Sequence, residues 1–97
     1  MKRLLETNGY DCRRSAGSRS PVDVVAFKPG QVVMVQAKLN GRCPPAERAE
    51  LVRVAGLVGA VPLLAYRITR QGTRFRRLFG TGAREWAEWA PDALRPH

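Results

Sequence analysis

Histidine is almost missing from this 97-residue chain, and the single one, His97, is its last residue. No imidazole-based metal site or histidine proton relay is therefore expected. Cysteine is nearly as scarce: Cys12 and Cys43 are the only two, too few and too far apart for a metal-ligand pattern, and both are expected as reduced thiols. Apolar residues form no run near the ~20 needed to span a bilayer, and the opening Met1-Lys2-Arg3-Leu4-Leu5-Glu6 lacks the apolar stretch of a secretory signal. A cytoplasmic, intracellular location is expected. Internal repeats and low-complexity segments are also lacking, so residues 1–97 read as one domain.

Negative charge is the remaining deficit. Eight acids stand against 17 basic residues, a net charge of +9, and arginine far outnumbers lysine. An anionic polymer is the natural partner. Arginine favours phosphate in particular, because its planar guanidinium matches phosphate oxygens two at a time.

Residues 2–8 read as a helix ending at Asn8-Gly9, and 10–14 as the start of a strand. Val22 to Phe27 and Gln31 to Lys38 are β-rich and flank Lys28-Pro29-Gly30-Gln31, which reads as a hairpin turn. Both faces of this hairpin are apolar, so helices must cover both. Pro44-Pro45 opens a helix to about Val58, with an apolar stripe of Leu51, Val54, Ala55 and Val58. Val61 to Thr69 and Thr73 to Phe79 read as strands around a Gln71-Gly72 turn, and Ala83 to Ala90 as a terminal helix stopped by Pro91. The expected order is α-β-β-β-α-β-β-α, an α/β protein built on a mixed sheet flanked by helices. A crossover after Lys38 should be right-handed and return the chain to the same sheet.

If the Pro-Gly turn closes symmetrically, Asp23 lies opposite Gln36, and Lys38 falls on the face of Gln36 by the two-residue strand repeat. Three polar groups inside apolar strands violate the local pattern, and such violations tend to mark sites. The chemistry that suits them is metal-assisted phosphodiester hydrolysis. Asp23, the Gln36 side-chain oxygen and the Ala37 carbonyl would hold Mg²⁺, and Lys38 would polarise the attacking water. The plain alternative is an Asp23–Lys38 ion pair with Gln36 merely polar.

The stretch Ser15-Ala16-Gly17-Ser18-Arg19-Ser20-Pro21-Val22-Asp23-Val24-Val25, followed by Val35-Gln36-Ala37-Lys38, closely resembles the Holliday junction resolvases of archaeal and phage type, within the PD-(D/E)xK nuclease superfamily. The resemblance runs from Leu4-Leu5-Glu6 to about Tyr66 and is weakest after Thr69. It implies a restriction-endonuclease-like fold and a nucleoid-associated homodimer that binds four-way DNA junctions in recombination and repair. With Mg²⁺, or Mn²⁺ as a substitute, such a protein nicks two opposed strands and leaves 5′-phosphates.

Asp23 matches the metal-binding aspartate and Lys38 the catalytic lysine. Gln36 stands where the motif has an acid, leaving the site one negative charge short. Gly17 and Ser18 match a Gly-Ser step that approaches the DNA backbone, and Arg13, Arg14, Arg19, Ser20 and Arg42 extend the expected DNA-binding surface. A further glutamate in the family pattern falls about two turns before the Leu-Leu-Glu segment, ahead of residue 1, and Glu6 is a poor substitute for it. Glu47 or Glu50 can supply a carboxylate from a new position. The runner-up reading is a non-catalytic member that binds branched DNA.

Two further features follow from the residues. A Gln71-Gly72 turn would set Arg67 opposite Arg76, with Thr69 and Arg74 beside them, a pairing that calls for an anion. Trp86 and Trp89, three apart on the expected terminal helix, would share one side and suit either the core or a dimer interface.

Overall fold

The computed structural model describes residues 1–14, 21–38, 42–80, 82 and 84–91. The elements run α1 (Lys2–Thr7), β1 (Asp11–Arg14), β2 (Val24–Lys28), β3 (Gln31–Ala37), α2 (Pro45–Leu57), β4 (Val61–Ile68), β5 (Gly72–Leu78) and β6 (Trp86–Trp89). The six strands form one sheet in sequence order, antiparallel throughout except for the parallel β3–β4 pair that α2 connects.

The β2–β3 hairpin has the expected register. Val24 pairs with Val35 and Lys28 with Gln31, around a turn in which Pro29 is followed by Gly30 at φ +79°. That is the order a tight turn with a left-handed second residue requires. Val24, Ala26, Val33 and Val35 face one side of the sheet, where Leu5 of α1, Tyr10, Cys12, Leu63, Ala65, Phe75 and Trp89 complete the main core. The other face receives α2, whose Leu51 packs with Val22 and Leu78 and with the half-buried Val25, Met34, Val52 and Val54. Leu51 and Ala55 of the expected stripe are buried, but Val58 caps α2 and is 62% exposed.

The last element departs from expectation. Residues 86–89 form a strand, not a helix, so the order ends β-β-β. A three-residue spacing of tryptophans fits a helix face, yet β5 offers an open edge, and aromatic residues suit a pleated, half-buried strand. The two rings consequently lie on opposite faces. Trp89 is buried beside Tyr10 and Phe75, with ring centroids 6.3 and 5.4 Å away, while Trp86 is about one-third exposed on the α2 side.

The β4–β5 register also differs. The connection is Thr69-Arg70-Gln71, with Arg70 and Gly72 at positive φ, and Ile68 pairs with Gly72. Relative to the expected register the pairing slips by three residues, an odd number that reverses the faces. Arg67 now lies opposite Thr73, Arg74 opposite Tyr66 and Arg76 opposite Leu64. Facing arginines are thereby avoided, which removes a like-charge repulsion from the ladder.

Cys12, in the α1-side core, and Cys43 are both buried free thiols, and burial raises the pKa of each. Neither is expected to react with a disulfide reagent within minutes in the folded protein, and both should react at once in denaturant. Rapid reaction of either native thiol would contradict this packing. Among the described residues no helix is long and apolar enough to cross a membrane.

Candidate active site

The β2–β3 hairpin and the β3–α2 connection bring the candidate residues to one end of the sheet. Regular pairing stops at Val24–Val35. Just before it, Asp23 donates its backbone N–H to the Val35 carbonyl at 2.8 Å, and its Oδ2 accepts the Ala37 N–H at 2.7 Å. This carboxylate therefore takes over a backbone donor at the point where the ladder ends, and that bond fixes its position. Asp23 is exposed, and it borders a recess shared with Met1, Arg14, Val24 and Ala37. The recess lies toward the start of α1.

Gln36 and Lys38 turn toward α2. Gln36 is the one buried polar residue of the described core, 6% exposed, and its Oε1 accepts the Cys43 thiol at 3.3 Å. Burial keeps that thiol protonated and able to donate. Lys38 continues the sheet through its backbone N–H to Ala65 and sends Nζ to Glu47 Oε2 at 2.8 Å. The Glu47 hydrogen bond is the main cause that raises the Lys38 pKa, and Asp23 adds a smaller electrostatic contribution in the same direction. Lys38 is accordingly an ammonium at neutral pH.

Glu47 sits in the first turn of α2, where a negative charge is favoured by the helix dipole. Glu50 is instead taken by Arg53 of the same helix. Of the two helix acids considered from the sequence, Glu47 is thus the one that reaches the site, through Lys38. The Gln36–Cys43 contact had no sequence signal, since Cys43 lies outside the strand register that relates Gln36 to its neighbours.

The remaining expected residues are dispersed around this end. Arg14 lines the Asp23 recess, Arg13 pairs with Asp11 at 3.3 Å, and Arg42 is exposed beside Cys43. Gly17, Ser18, Arg19 and Ser20 lie outside the described residues.

No group of three or more acidic, histidine or cysteine side chains suited to a metal occurs among the described residues. The donor set fits a hydrated divalent cation of the Mg²⁺ kind, which commonly rests on one or two carboxylates and completes its shell with water and substrate phosphate. Asp23 has one oxygen committed to Ala37 and a second for such an ion. The Ala37 carbonyl belongs to a residue that lines the same recess as Asp23, whereas Gln36 Oε1 is buried and engaged by the Cys43 thiol.

A mixed sheet with one parallel pair, α1 on one face, α2 on the other and polar groups gathered at the end of an antiparallel hairpin is a restriction-endonuclease-like fold. No family model and no curated protein matches the sequence. Solved structures do match. The chain is similar to Hjc of Archaeoglobus fulgidus, a Holliday junction resolvase from an archaeal hyperthermophile, with TM-score 0.62 and 25% sequence identity. The match covers 73% of this chain and 66% of that one. The resemblance to archaeal Holliday junction resolvases therefore extends from the sequence motif to the fold.

Proposed function

We propose that this protein is a metal-dependent, structure-selective DNA endonuclease that hydrolyses phosphodiesters at four-way junctions, acting as a homodimer. The observation that carries the reading is Asp23, tied to the Ala37 N–H, at the same end of the β2–β3 hairpin as Gln36 and Lys38, in a sheet similar to that of a Holliday junction resolvase. The basic surface supports DNA as the substrate, since +9 on 97 residues favours a polyanion.

Mg²⁺, or Mn²⁺ in its place, would be held by Asp23 with the Gln36 Oε1 and Ala37 carbonyl oxygens, and it would supply Lewis-acid polarisation of the phosphate and a more acidic water. The chain's own groups do the rest. Asp23, fixed by the Ala37 N–H, presents its second oxygen from a rigid strand end. Lys38 acts as a cation, not a base: its proton is held by Glu47, and its charge offsets the negative charge that develops on the phosphate. Arg14, beside Asp23, can orient a non-bridging phosphate oxygen.

One observation favours the non-catalytic alternative. Gln36, where the family motif has an acid, is buried and engaged by Cys43. The two readings separate in one assay, a labelled four-way junction incubated with the protein and Mg²⁺ or with chelator. The endonuclease reading expects nicks that leave 5′-phosphates and vanish with chelator. Lys38→Met should lower the nicking rate by about 10²–10³ while junction affinity changes less than about threefold. Tight binding with no nick under either metal would support the alternative.

A further inference from the structure

Across the α2 side of the sheet, the register aligns Gln36 with Leu64, Arg76 and Glu88 in one row, and Tyr66 with Arg74 in the next, beside Lys38. With about 4.8 Å between strands, Arg76 stands roughly 10 Å from Gln36 on the same face. Helix α2 lies over β3 and β4 and reaches β5 at Leu78. Beyond it, the outer part of this face carries arginines and aromatics.

Arg76 is held in an unusual way. Its guanidinium lies over the Tyr66 ring at 4.5 Å and over the Trp86 ring at 4.2 Å. Ring faces fix the plane of the group without using its N–H donors. The nearest acid in the ladder, Glu88, is directly opposite, yet its Oε1 accepts the Tyr66 hydroxyl at 3.0 Å. Among the described residues Arg76 has no ion pair, and its Nε is buried without a hydrogen-bond partner. Among the described residues the positive charge is thus oriented by the rings and makes no direct ion pair. Arg74, two residues before it on the same face, is exposed.

We infer that the outer β5–β6 face, centred on Arg76 clamped between Tyr66 and Trp86, is a docking surface for the phosphodiester backbone of a DNA arm leaving the hairpin site. The inference rests on the proposed function for the identity of the polymer and extends it to a surface two strands away from the candidate catalytic residues. Arg76 supplies the phosphate contact, Trp86 and Tyr66 hold its plane, and Glu88 holds Tyr66 while lowering the local positive potential.

The test is equilibrium binding of a fluorescent four-way junction and a linear duplex of the same sequence in chelator, so that no cutting intervenes, over a range of salt. Arg76→Met keeps the apolar stem between the rings and removes the charge. It should weaken binding by about tenfold near 150 mM salt and flatten the salt slope by about one. Glu88→Gln preserves an acceptor for Tyr66 and removes a negative charge, so it should bind severalfold more tightly. That gain cannot arise from misfolding, and it keeps the inference testable if Arg76→Met fails to fold. If the unaltered protein binds the junction but both variants bind it with unchanged affinity and slope, the docking surface is overturned and the proposed function stands. If the unaltered protein binds neither DNA, both fall.

Discussion

Replacing Asp23 with Asn is expected to abolish junction nicking, lowering the single-turnover rate by at least about 10³, while junction binding is retained or strengthened. The expected size of the effect follows from how alone this carboxylate is. Gln36 contributes no charge, Glu50 is committed to Arg53, and Glu47 is committed to Lys38. Among the described residues Asp23 is therefore the acid that borders the recess and is not paired with a cation. An Asn retains an oxygen that can accept the Ala37 N–H, so the strand end should keep its shape. Removing a negative charge from the path of DNA also favours binding. The split between lost cleavage and kept binding separates a catalytic role from a structural one. Cleavage reduced only a fewfold would mean that the chemistry lies elsewhere.

The largest stability effect is expected at Phe75. It is 1% exposed at the centre of the α1-side core, packs edge-on against Trp89 at 5.4 Å and pairs across the ladder with Ala65. Phe75→Ala opens a cavity between β4 and β6, and such truncations cost about 3–5 kcal/mol. A domain of this size has about 5–15 kcal/mol in all, toward the low end for small chains, so the variant loses a large share of its stability. Chemical denaturation should show the loss as a lower midpoint at nearly constant slope. Phe79→Ala makes the control: that ring is 61% exposed and should cost about 0.5 kcal/mol or less.

The hairpin was legible in the sequence because its turn is over-determined. Pro29 and Gly30 occupy the two positions where their backbone preferences agree, and one turn then fixes every partner from Val24–Val35 to Lys28–Gln31. Asp23 was legible as a neighbour of β3, but its exact tie was not. The ladder ends one residue earlier than the register implies, so the carboxylate meets the Ala37 N–H instead of lying flat beside Gln36. The β4–β5 turn lacked such punctuation: Gln71-Gly72 fits a two-residue turn as well as it fits the end of a three-residue one, and only pairing across the sheet decides. The terminal strand was obscured for a related reason, because four residues with tryptophans three apart satisfy a helical spacing as readily as a strand that places one ring on each face. Tertiary contacts such as Lys38–Glu47 and the Tyr66–Arg76–Trp86 stack join elements far apart in sequence, and local pattern carries no trace of them.

The central claim is that the end of the β2–β3 hairpin cuts branched DNA, and cleavage mapping on a four-way junction tests it most directly. Each of the four strands is end-labelled in turn, and a linear duplex of the same sequence runs alongside in Mg²⁺. The expected result is paired nicks at symmetric positions on two opposed strands, 5′-phosphate ends, no comparable cutting of the linear duplex, and loss of all nicks with Asp23→Asn. Nicks that persist in Asp23→Asn, or a junction bound tightly and left whole by the unaltered protein in both Mg²⁺ and Mn²⁺, would contradict it.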